Sequence, residues 1–250
     1  MGVLNVTPDS FSDGGQWFDR DAAIARGHQL FDEGADVVDV GGESTRPGSD
    51  PVGAAEERRR VVPVIEALAQ RGRVSVDTSK PEVAEAAVAA GATLINDVSG
   101  SLGAVAARVG AGWVAMHMQG RPKTMQHDPT YADVVAEVRT FLLQRAAGAR
   151  AAGVTEVWID PGIGFGKTLV HNLTLLRHLD ALVATGYPVL LGASRKSFLS
   201  RLTGAASAAD TLEGSLAVAV HAITQGAGML RVHDVAATVQ AVRVVAEAVA

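Results

Sequence analysis

The sequence contains no cysteine among its 250 residues. It can therefore form no disulfide, no thiol nucleophile and no cysteine-ligated zinc or iron–sulfur centre. It also lacks any apolar run near the roughly 20 residues that span a bilayer. Lysine and arginine number 22 against 27 aspartate and glutamate, a formal net charge of −5, whereas neutralising a nucleic-acid backbone requires surplus Lys and Arg. We expect no nucleic-acid and no membrane partner, although a few local cations could hold an anionic small substrate.

The start of the chain carries no targeting signal that we recognise. Met1 is followed directly by the strand-like stretch 2–6, so we expect no signal peptide. Apolar residues make up 48% of the chain, which is typical of globular domains. The sequence thus favours a cytoplasmic α/β enzyme or binding protein.

Short apolar runs of β type alternate with alanine-rich stretches of helical period along the whole chain. Eight such runs divide the 250 residues into units of about 31 residues, the size of a βα unit. We find no linker or composition break, so the sequence predicts one domain, 1–250, folded as a single (β/α)8 barrel. The predicted strands are 2–6, 36–40, 74–77, 93–97, 113–117, 157–160, 189–192 and 229–233. The predicted helices lie near 20–33, 53–70, 81–90, 103–110, 132–152, 172–185, 211–226 and 235–249.

Polar residues gather at the carboxyl ends of the predicted strands. In a (β/α)8 barrel these ends meet on one face, which carries the active site. A single polar residue at a strand end is often only a turn former or a helix cap; eight residues of both charge signs favour a functional site. They are Asn5, Asp77, Asn96, Asp97, His117, Asp160, Arg231 and His233.

Three short motifs suggest other enzyme classes but are incomplete. The stretch 162–168, GIGFGKT, ends like a phosphate-binding P-loop, yet Pro161 occupies the position of its first glycine. In the stretch 192–196, GASRK, Lys196 replaces the second glycine of a nucleophile elbow. The seven histidines form no pair with zinc-site spacing. The sequence therefore excludes a P-loop NTPase, a serine hydrolase and a zinc enzyme.

Longer segments at the eight strand ends, taken together and in order, resemble the dihydropteroate synthases, the folate-pathway family targeted by sulfonamide drugs. They are NVTPDSFSDGG (5–15), GGESTRPG (41–48), SVDT (75–78), INDVS (95–99), MHMQG (116–120), DPGIGF (160–165), GASRKS (192–197) and RVHD (231–234). The resemblance implies that the protein condenses 6-hydroxymethyl-7,8-dihydropterin diphosphate with 4-aminobenzoate, giving 7,8-dihydropteroate and pyrophosphate by a dissociative substitution. It implies a transferase with sulfonamides among its inhibitors.

The resemblance assigns the pterin ring to Asp77, Asn96 and Asp160, with Lys196 facing the carbonyl side of the ring. Carboxylates accept hydrogen bonds and an amide both donates and accepts, which suits the aminopyrimidinone edge. Met116 and Gly192 also belong to the implied substrate-binding set. Asp97 is equally compatible with a structural role. The implied catalytic residues are Asp77, Asp160, Lys196, Arg231 and His233.

The diphosphate requires cations, and the resemblance implies Mg²⁺ with Asn5 as its protein ligand. Mg²⁺ prefers oxygen ligands and is often shared with substrate phosphates. Arg231 and His233 are two residues apart, so on a strand their side chains share a face. Because the first and last strands of a barrel are neighbours, we expect Asn5, Arg231 and His233 to converge.

We expect loop residues and the start of one helix to form the 4-aminobenzoate pocket. Ser197 begins a helix whose backbone N–H groups could receive a carboxylate. Phe165, Pro47 and the stem of Lys196 would enclose the ring. Thr45 and Arg46 lie in a Gly- and Pro-rich loop that, like the loop 7–15, is long and polar enough to act as a lid.

Two other functions stay open at this point. Methyltetrahydrofolate–corrinoid methyltransferases share the pterin-binding carboxylates and the asparagine but have no use for a diphosphate. A non-catalytic pterin-binding paralogue would be expected to have lost a loop or a ligand, and we find none lost. Finally, the segments 212–225 and 235–249 are apolar around most of their circumference, which, with the resemblance, predicts a homodimer through the C-terminal helices.

Overall fold

Parallel strands follow one another along the chain in the computed structural model, which describes residues 1–7, 20–44, 51–121, 123–207 and 210–249. Each strand begins within one residue of the predicted position, but the last two are shorter than predicted. Within the described residues the strands are β1 (Gly2–Asn5), β2 (Val37–Gly41), β3 (Arg73–Asp77), β4 (Leu94–Asp97), β5 (Gly112–Met116), β6 (Val157–Asp160), β7 (Leu190–Leu191) and β8 (Met229–Leu230).

Helices occupy the segments between the strands. They are α1 (Arg20–Asp32), α2 (Ala54–Leu68), α3 (Pro81–Ala89), α4 (Gly103–Val109), α5 (Val134–Ala151), α6 (Leu169–Arg177), α7 (Asp180–Val183), α8 (Ser197–Thr203), α9 (Leu212–Thr224) and α10 (Val235–Val249). The helix predicted near 172–185 was wrong as a single element, because His178, with φ −112° and ψ 34°, ends α6 before the short α7 begins. None of the helices in the described ranges has the length and apolar character needed to cross a membrane.

The strands form a closed ring. Strands β1 to β6 pair in chain order, and β7 pairs with β8. Two single bridges join these sheets, one between Ile159 and Val189 and one between Gly2 and Val232. At the second junction the Val3 amide donates to the Val232 carbonyl at 2.9 Å. The predicted (β/α)8 barrel is therefore confirmed.

The interior of the ring changes from apolar to polar along the strands. A cluster separate from the main core contains Met1, Val37, Leu94, Val114 and Leu190, with Trp158 and Met229 packed against it. The residue two positions beyond each of six members of this cluster lies on the same face. Four of these six residues are polar, namely Asp39, Asn96, Asp160 and Arg231, and the other two are Met116 and Gly192. The apolar layer thus closes the barrel below and supports a polar layer at the carboxyl ends.

Strand register aligns the carboxyl ends of neighbouring strands. Gly41 pairs with Asp77, and Asp77 pairs with Asn96. Met116 pairs with Asp160 on the far side of the ring. Because backbone hydrogen bonds fix the register of parallel strands, the positions of these residues do not depend on loop conformation.

The main core fills the space between the strands and the helices. Its largest fully buried members include Leu4, Leu30, Ile65, Leu68 and Leu142. Burial of each such side chain contributes about 1.5–3 kcal/mol. This layer holds the barrel rigid and leaves the strand ends free for chemistry.

Candidate active site

A buried network of one guanidinium and two carboxylates occupies the polar layer. Arg231 Nε donates to Asp39 Oδ2 at 2.6 Å, and Arg231 Nη2 donates to Asp77 Oδ2 at 2.7 Å. Asn96 Nδ2 donates to the same Asp39 oxygen at 2.9 Å. Four residues from β2, β3, β4 and the end of β8 therefore form one connected unit.

Each carboxylate in this network keeps one oxygen without a partner. Asp39 is 0% exposed and Asp77 9% exposed. Asp39 Oδ1 and Asp77 Oδ1 are buried and accept no hydrogen bond from any described residue. A buried acceptor without a donor costs about 1–3 kcal/mol, so these oxygens are suited to receive N–H groups from a ligand.

The electrostatics of the network follow from burial and charge count. Burial raises the pKa of Asp77, with Asp39 adding to the effect and Arg231 opposing it. Burial alone would lower the pKa of Arg231, but attraction to Asp39 and Asp77 outweighs it and raises that pKa. Arg231 therefore stays charged, and the two carboxylates favour binding of a ligand that carries positive charge.

Asp160 lies across the barrel at the end of β6. Its Oδ1 accepts from the Gly162 amide at 2.7 Å. Burial raises the pKa of Asp160, against attraction from Lys196 and the hydrogen bond from Gly162. Gly192 leaves space beside it, since a Cβ there would lie 3.9 Å from Asp160 Oδ2 and 3.7 Å from Arg231 Cβ.

Lys196 follows β7 and faces Asp160. Its Nζ donates to the Ile163 carbonyl and lies 4.6 Å from the centroid of the Phe165 ring. Burial lowers the pKa of Lys196 to about 8, with Asp160 opposing the change. The preceding Arg195 has φ 58°, a left-handed conformation that is uncommon outside glycine. Its Nε donates to Asp234 Oδ2 at 3.0 Å, which fixes the chain just before Lys196.

A turn of alternating left-handed glycines follows Asp160 and carries Phe165. Gly162 has φ 64°, and a Cβ there would lie 1.9 Å from the His117 carbonyl oxygen and 3.3 Å from Met116 Cγ. Only glycine can occupy such a position. The turn therefore packs directly on the end of β5, where Met116 is 3% exposed.

The predicted diphosphate residues Asn5 and His233 line a cavity of about 520 Å³ that reaches between α1 and α10. The His233 amide and its Nδ1 each lie 3.2 Å from Ser194 Oγ. Arg231 instead points to Asp39 and Asp77. Ser197 is exposed and is the first residue of α8, as expected.

Three predicted residues, Thr45, Arg46 and Pro47, lie outside the described residues, as does most of the loop 7–15. Asp97 has a structural role. Its carboxylate accepts from the Ser101 amide at 2.7 Å, the Leu102 amide at 2.6 Å and Trp113 Nε1 at 3.1 Å. It thereby fixes the chain entering α4.

Asp39 is the residue that the sequence analysis missed. It stands in the middle of a strand, between Val38 and Val40, rather than at its end. The sequence nevertheless contained an indication of its role, because a charged side chain inside an apolar parallel strand must be paired. The pairing with Arg231 accounts for it.

No group of three or more His, Asp or Glu side chains in the described ranges could hold a metal ion. Asn5, half-buried beside His233 on the cavity, offers one amide oxygen. This donor set is too small for a resident ion. It fits Mg²⁺ only if the ion arrives already bound to a diphosphate, as Mg²⁺ commonly does.

Comparisons with known proteins extend over nearly the whole chain. Residues 1–233 match the family described as pterin binding enzymes. The chain is 48% identical to the dihydropteroate synthase of Neisseria meningitidis serogroup C, over 97% of this chain and 90% of that protein. The chain is also similar in structure to a dihydropteroate synthase of Xanthomonas albilineans that was solved with 4-aminobenzoic acid. The TM-score is 0.93 at 48% identity, and the match covers 100% of this chain and 92% of that one. The Yersinia pestis dihydropteroate synthase, solved with a sulfonamide drug, gives a TM-score of 0.92 at 45% identity, covering 99% and 92%.

Proposed function

This chain belongs to the dihydropteroate synthase family, and we propose that the polar layer of its barrel divides that family's reaction among its residues. The reaction transfers the pterinylmethyl group of 6-hydroxymethyl-7,8-dihydropterin diphosphate to 4-aminobenzoate, releasing pyrophosphate and 7,8-dihydropteroate. The buried, unpartnered Oδ1 of Asp77 is the observation that carries the assignment. It is an acceptor that a pterin N–H group would satisfy.

The pterin ring is bound by Asp77, Asn96 and Asp160, with Lys196 donating to its carbonyl side. Asn96 is held by Asp39 through its Nδ2, which directs its Oδ1 to act as an acceptor. Met116 and Gly192 bound the space, and Gly192 in particular leaves room between Asp160 and Arg231. Pairing Asp77 Oδ1 with a ring N–H group removes the cost of leaving that oxygen buried and unsatisfied.

Catalysis is electrostatic and follows a dissociative course. The bond between the exocyclic methylene carbon and the diphosphate oxygen breaks, and both electrons leave with pyrophosphate. Asp77 and Asp160 stabilise the cationic pterin that results, while Arg231 and His233 favour the departing anion. Preorganised groups of this kind are worth about 10²–10³-fold in rate each. The neutral amine of 4-aminobenzoate then attacks the methylene carbon and loses a proton.

The arylamine lies against the Phe165 ring and the Lys196 stem, with its carboxylate at Ser197. Thr45, Arg46 and Pro47, which lie outside the described residues, belong to the same proposed substrate-binding set. Sulfonamides compete for the same pocket, consistent with the drug bound to the related Yersinia pestis protein. Lys196 thus contacts both substrates.

Asn5 would hold a Mg²⁺ ion bound to the diphosphate on the protein side. When bound, the ion neutralises part of the charge on the leaving group. Asn5 and His233 share one cavity, so His233 can donate to the same phosphates.

The remaining assignments concern the whole molecule. We place the protein in the cytoplasm as a single pterin-binding domain over 1–250, assembled into a homodimer through α9 and α10. The side chains of Leu216, Val218 and Val220 on α9 stay half-buried in the single chain, and Val244 on α10 is 69% exposed. Apolar surface of this kind on adjacent helices favours pairing of two copies.

Turnover tests the proposal. Purified protein is incubated with dihydropterin diphosphate, 4-aminobenzoate and Mg²⁺, and dihydropteroate is measured with and without a chelator. We expect product with the wild-type chain, a loss of about 10²-fold or more in kcat with Asp77→Asn, and suppression by the chelator. No product from the folded wild-type chain would contradict the function and favour a non-catalytic pterin-binding protein. Methyl transfer from methyltetrahydrofolate would favour the methyltransferase.

A further inference from the structure

Lys167 is a buried lysine that the reaction above does not use. It is 3% exposed, although the sequence places it where a P-loop would present its phosphate-binding lysine. Its Nζ lies 2.9 Å from the Phe165 carbonyl oxygen, 3.0 Å from that of Gly162 and 3.2 Å from that of His117. Three carbonyls therefore surround the amine as they would surround a bound cation.

His117 supplies the fourth contact. Its Nδ1 lies 3.0 Å from Lys167 Nζ, and its ring meets the Phe141 ring edge-on at 5.0 Å. Burial, and secondly the charge of Lys167, lower the pKa of His117 to about 3. The imidazole is thus neutral, and beside an amine donor its Nδ1 acts as the acceptor. Burial also lowers the pKa of Lys167 to about 7, with Asp160 opposing, but the amine has N–H donors in either charge state.

The segment that Lys167 contacts is rich in glycine. Gln126, Tyr131 and Asn172 each make one side-chain hydrogen bond to it, whereas Lys167 alone contacts two of its carbonyls. Gly162, Gly164 and Gly166 all have left-handed φ values, 64°, 84° and 59°. Glycine loses more conformational freedom on ordering than any other residue. The alternating glycines also allow the turn to approach the backbone after β5, where a Cβ on Gly166 would lie 2.3 Å from the Gln119 carbonyl oxygen.

The same turn places the groups that face the substrates. It begins at Asp160, it carries Phe165, and its Ile163 carbonyl receives Lys196 Nζ. Lys167 binds the carbonyls on either side of Ile163, those of Gly162 and Phe165. A shift of this turn would therefore move the Phe165 ring and the anchor of Lys196 together.

We propose that Lys167, with His117 as its acceptor partner, is a positioning residue that fixes the glycine turn 162–166 and so places Phe165 and Lys196 for the arylamine substrate. This inference rests on the proposed function for the identity of that substrate. Lys167 itself touches no substrate. Its loss acts more on the arylamine pocket, where Phe165 and Lys196 both depend on the turn, than on the pterin site. In the pterin site Asp160 and Lys196 contact the turn, but Asp77 and Asn96 belong to other strands.

Three variants test the proposal. Lys167→Met keeps the length and most of the volume of the side chain but removes every donor. Lys167→Gln keeps two N–H donors. Leu68→Ala is the stability control, because Leu68 is fully buried on α2 and its truncation leaves a cavity away from the turn. All three are checked for folding by circular dichroism.

The first readout requires no substrate. Amide hydrogen exchange is followed for Gly164, whose N–H donates to Asn172 Oδ1 at 2.8 Å, and for Phe165, whose N–H donates to the Gly162 carbonyl at 3.0 Å. The Ile159 amide on β6 serves as reference. We expect exchange at Gly164 and Phe165, relative to Ile159, to rise about tenfold or more in Lys167→Met, since hydrogen bonds to a charged group are worth at least that factor. Lys167→Gln should be intermediate and Leu68→Ala should match the wild type.

The second readout is kinetic. We expect Lys167→Met to raise the KM for 4-aminobenzoate about tenfold, with the KM for the dihydropterin diphosphate changed much less and partial recovery in Lys167→Gln. Wild-type exchange at Gly164 and Phe165 in Lys167→Met would overturn the proposal, as would equal changes in both KM values. If the wild-type chain makes no dihydropteroate, the proposed function fails while hydrogen exchange still decides whether Lys167 fixes the turn. Should Lys167→Met fail to fold, the same readouts on Lys167→Gln decide, with wild-type values again contradicting the proposal.

Discussion

Replacing Asp39 by asparagine probes the charge network at its most buried point. The substitution preserves shape but removes the carboxylate that Arg231 and Asn96 both contact, at 2.6 and 2.9 Å. Removing one partner of a buried ion pair costs about 3–5 kcal/mol, because the other charge is left uncompensated. Arg231 keeps its second partner, Asp77, at 2.7 Å. We therefore expect the free energy of unfolding to fall by about 3 kcal/mol, the lower end of that range.

Activity should fall along with stability. Without the charge on Asp39 the guanidinium keeps a single charged partner, and the hydrogen bonds from Arg231 and Asn96 are left with a weaker, neutral acceptor. One charge-assisted hydrogen bond is worth about 1.5–3 kcal/mol, so we expect kcat/KM for the dihydropterin diphosphate to fall about 10–100-fold. Urea unfolding followed by circular dichroism measures the first quantity, and initial rates of dihydropteroate formation measure the second.

Asp97→Asn is the matched control. Asp97 is as buried as Asp39, at 0% exposure, but its carboxylate binds the chain entering α4 and Trp113. Asp97→Asn should lower the free energy of unfolding but change kcat/KM far less than Asp39→Asn does. If Asp39→Asn keeps kcat/KM within threefold of the wild type, or if both variants lose it equally, the network does not position Arg231 for catalysis.

Three further predictions follow from the site and the C-terminal helices. Because burial lowers the pKa of Lys196 to about 8, its ammonium is present below that pH and lost above it. We therefore expect kcat/KM to decline as pH rises through about 8. The variant Lys196→Met, though far less active, should lack this alkaline limb. Retention of the limb in that variant would assign it to another group. Calorimetry should show 4-aminobenzoate or a sulfonamide binding more tightly when pterin, pyrophosphate and Mg²⁺ are present, and equal affinity without them would contradict the pocket described here. Light scattering at micromolar concentration should give about twice 25.8 kDa, whereas a single-chain mass would refute the homodimer.

The barrel and most of its polar layer could be predicted because both depend on local patterns. Alternation of apolar runs with helical segments predicts βα units, and the ends of parallel strands converge whatever their loops do. Asp77, Asn96 and Asp160 were therefore within reach of the sequence alone. The split between α6 and α7 was not, because nothing in the pattern around His178 marks the departure from helical geometry.

The sequence did not predict the roles of residues that depend on where the side chain points rather than on its position along the chain. Asp39 and Asp97 are both fully buried aspartates on strands, yet one binds Arg231 and the other binds backbone amides before α4. Lys167 has a sequence context typical of phosphate binding, but its amine turns inward to three carbonyls. The role of each side chain depends on which partners lie within hydrogen-bonding distance, and only the folded chain determines those partners.

The pterin site depends most on the unpartnered Oδ1 of Asp77, which we propose receives an N–H group of the pterin ring. Calorimetric titration of an unreactive pterin into the wild-type chain and into Asp77→Asn tests this without the diphosphate, the arylamine or turnover. Because a hydrogen bond to a charged group is worth about 1.5–3 kcal/mol, the account predicts binding to the wild type and an affinity about tenfold or more weaker in the variant. Equal affinities in two folded proteins would contradict it.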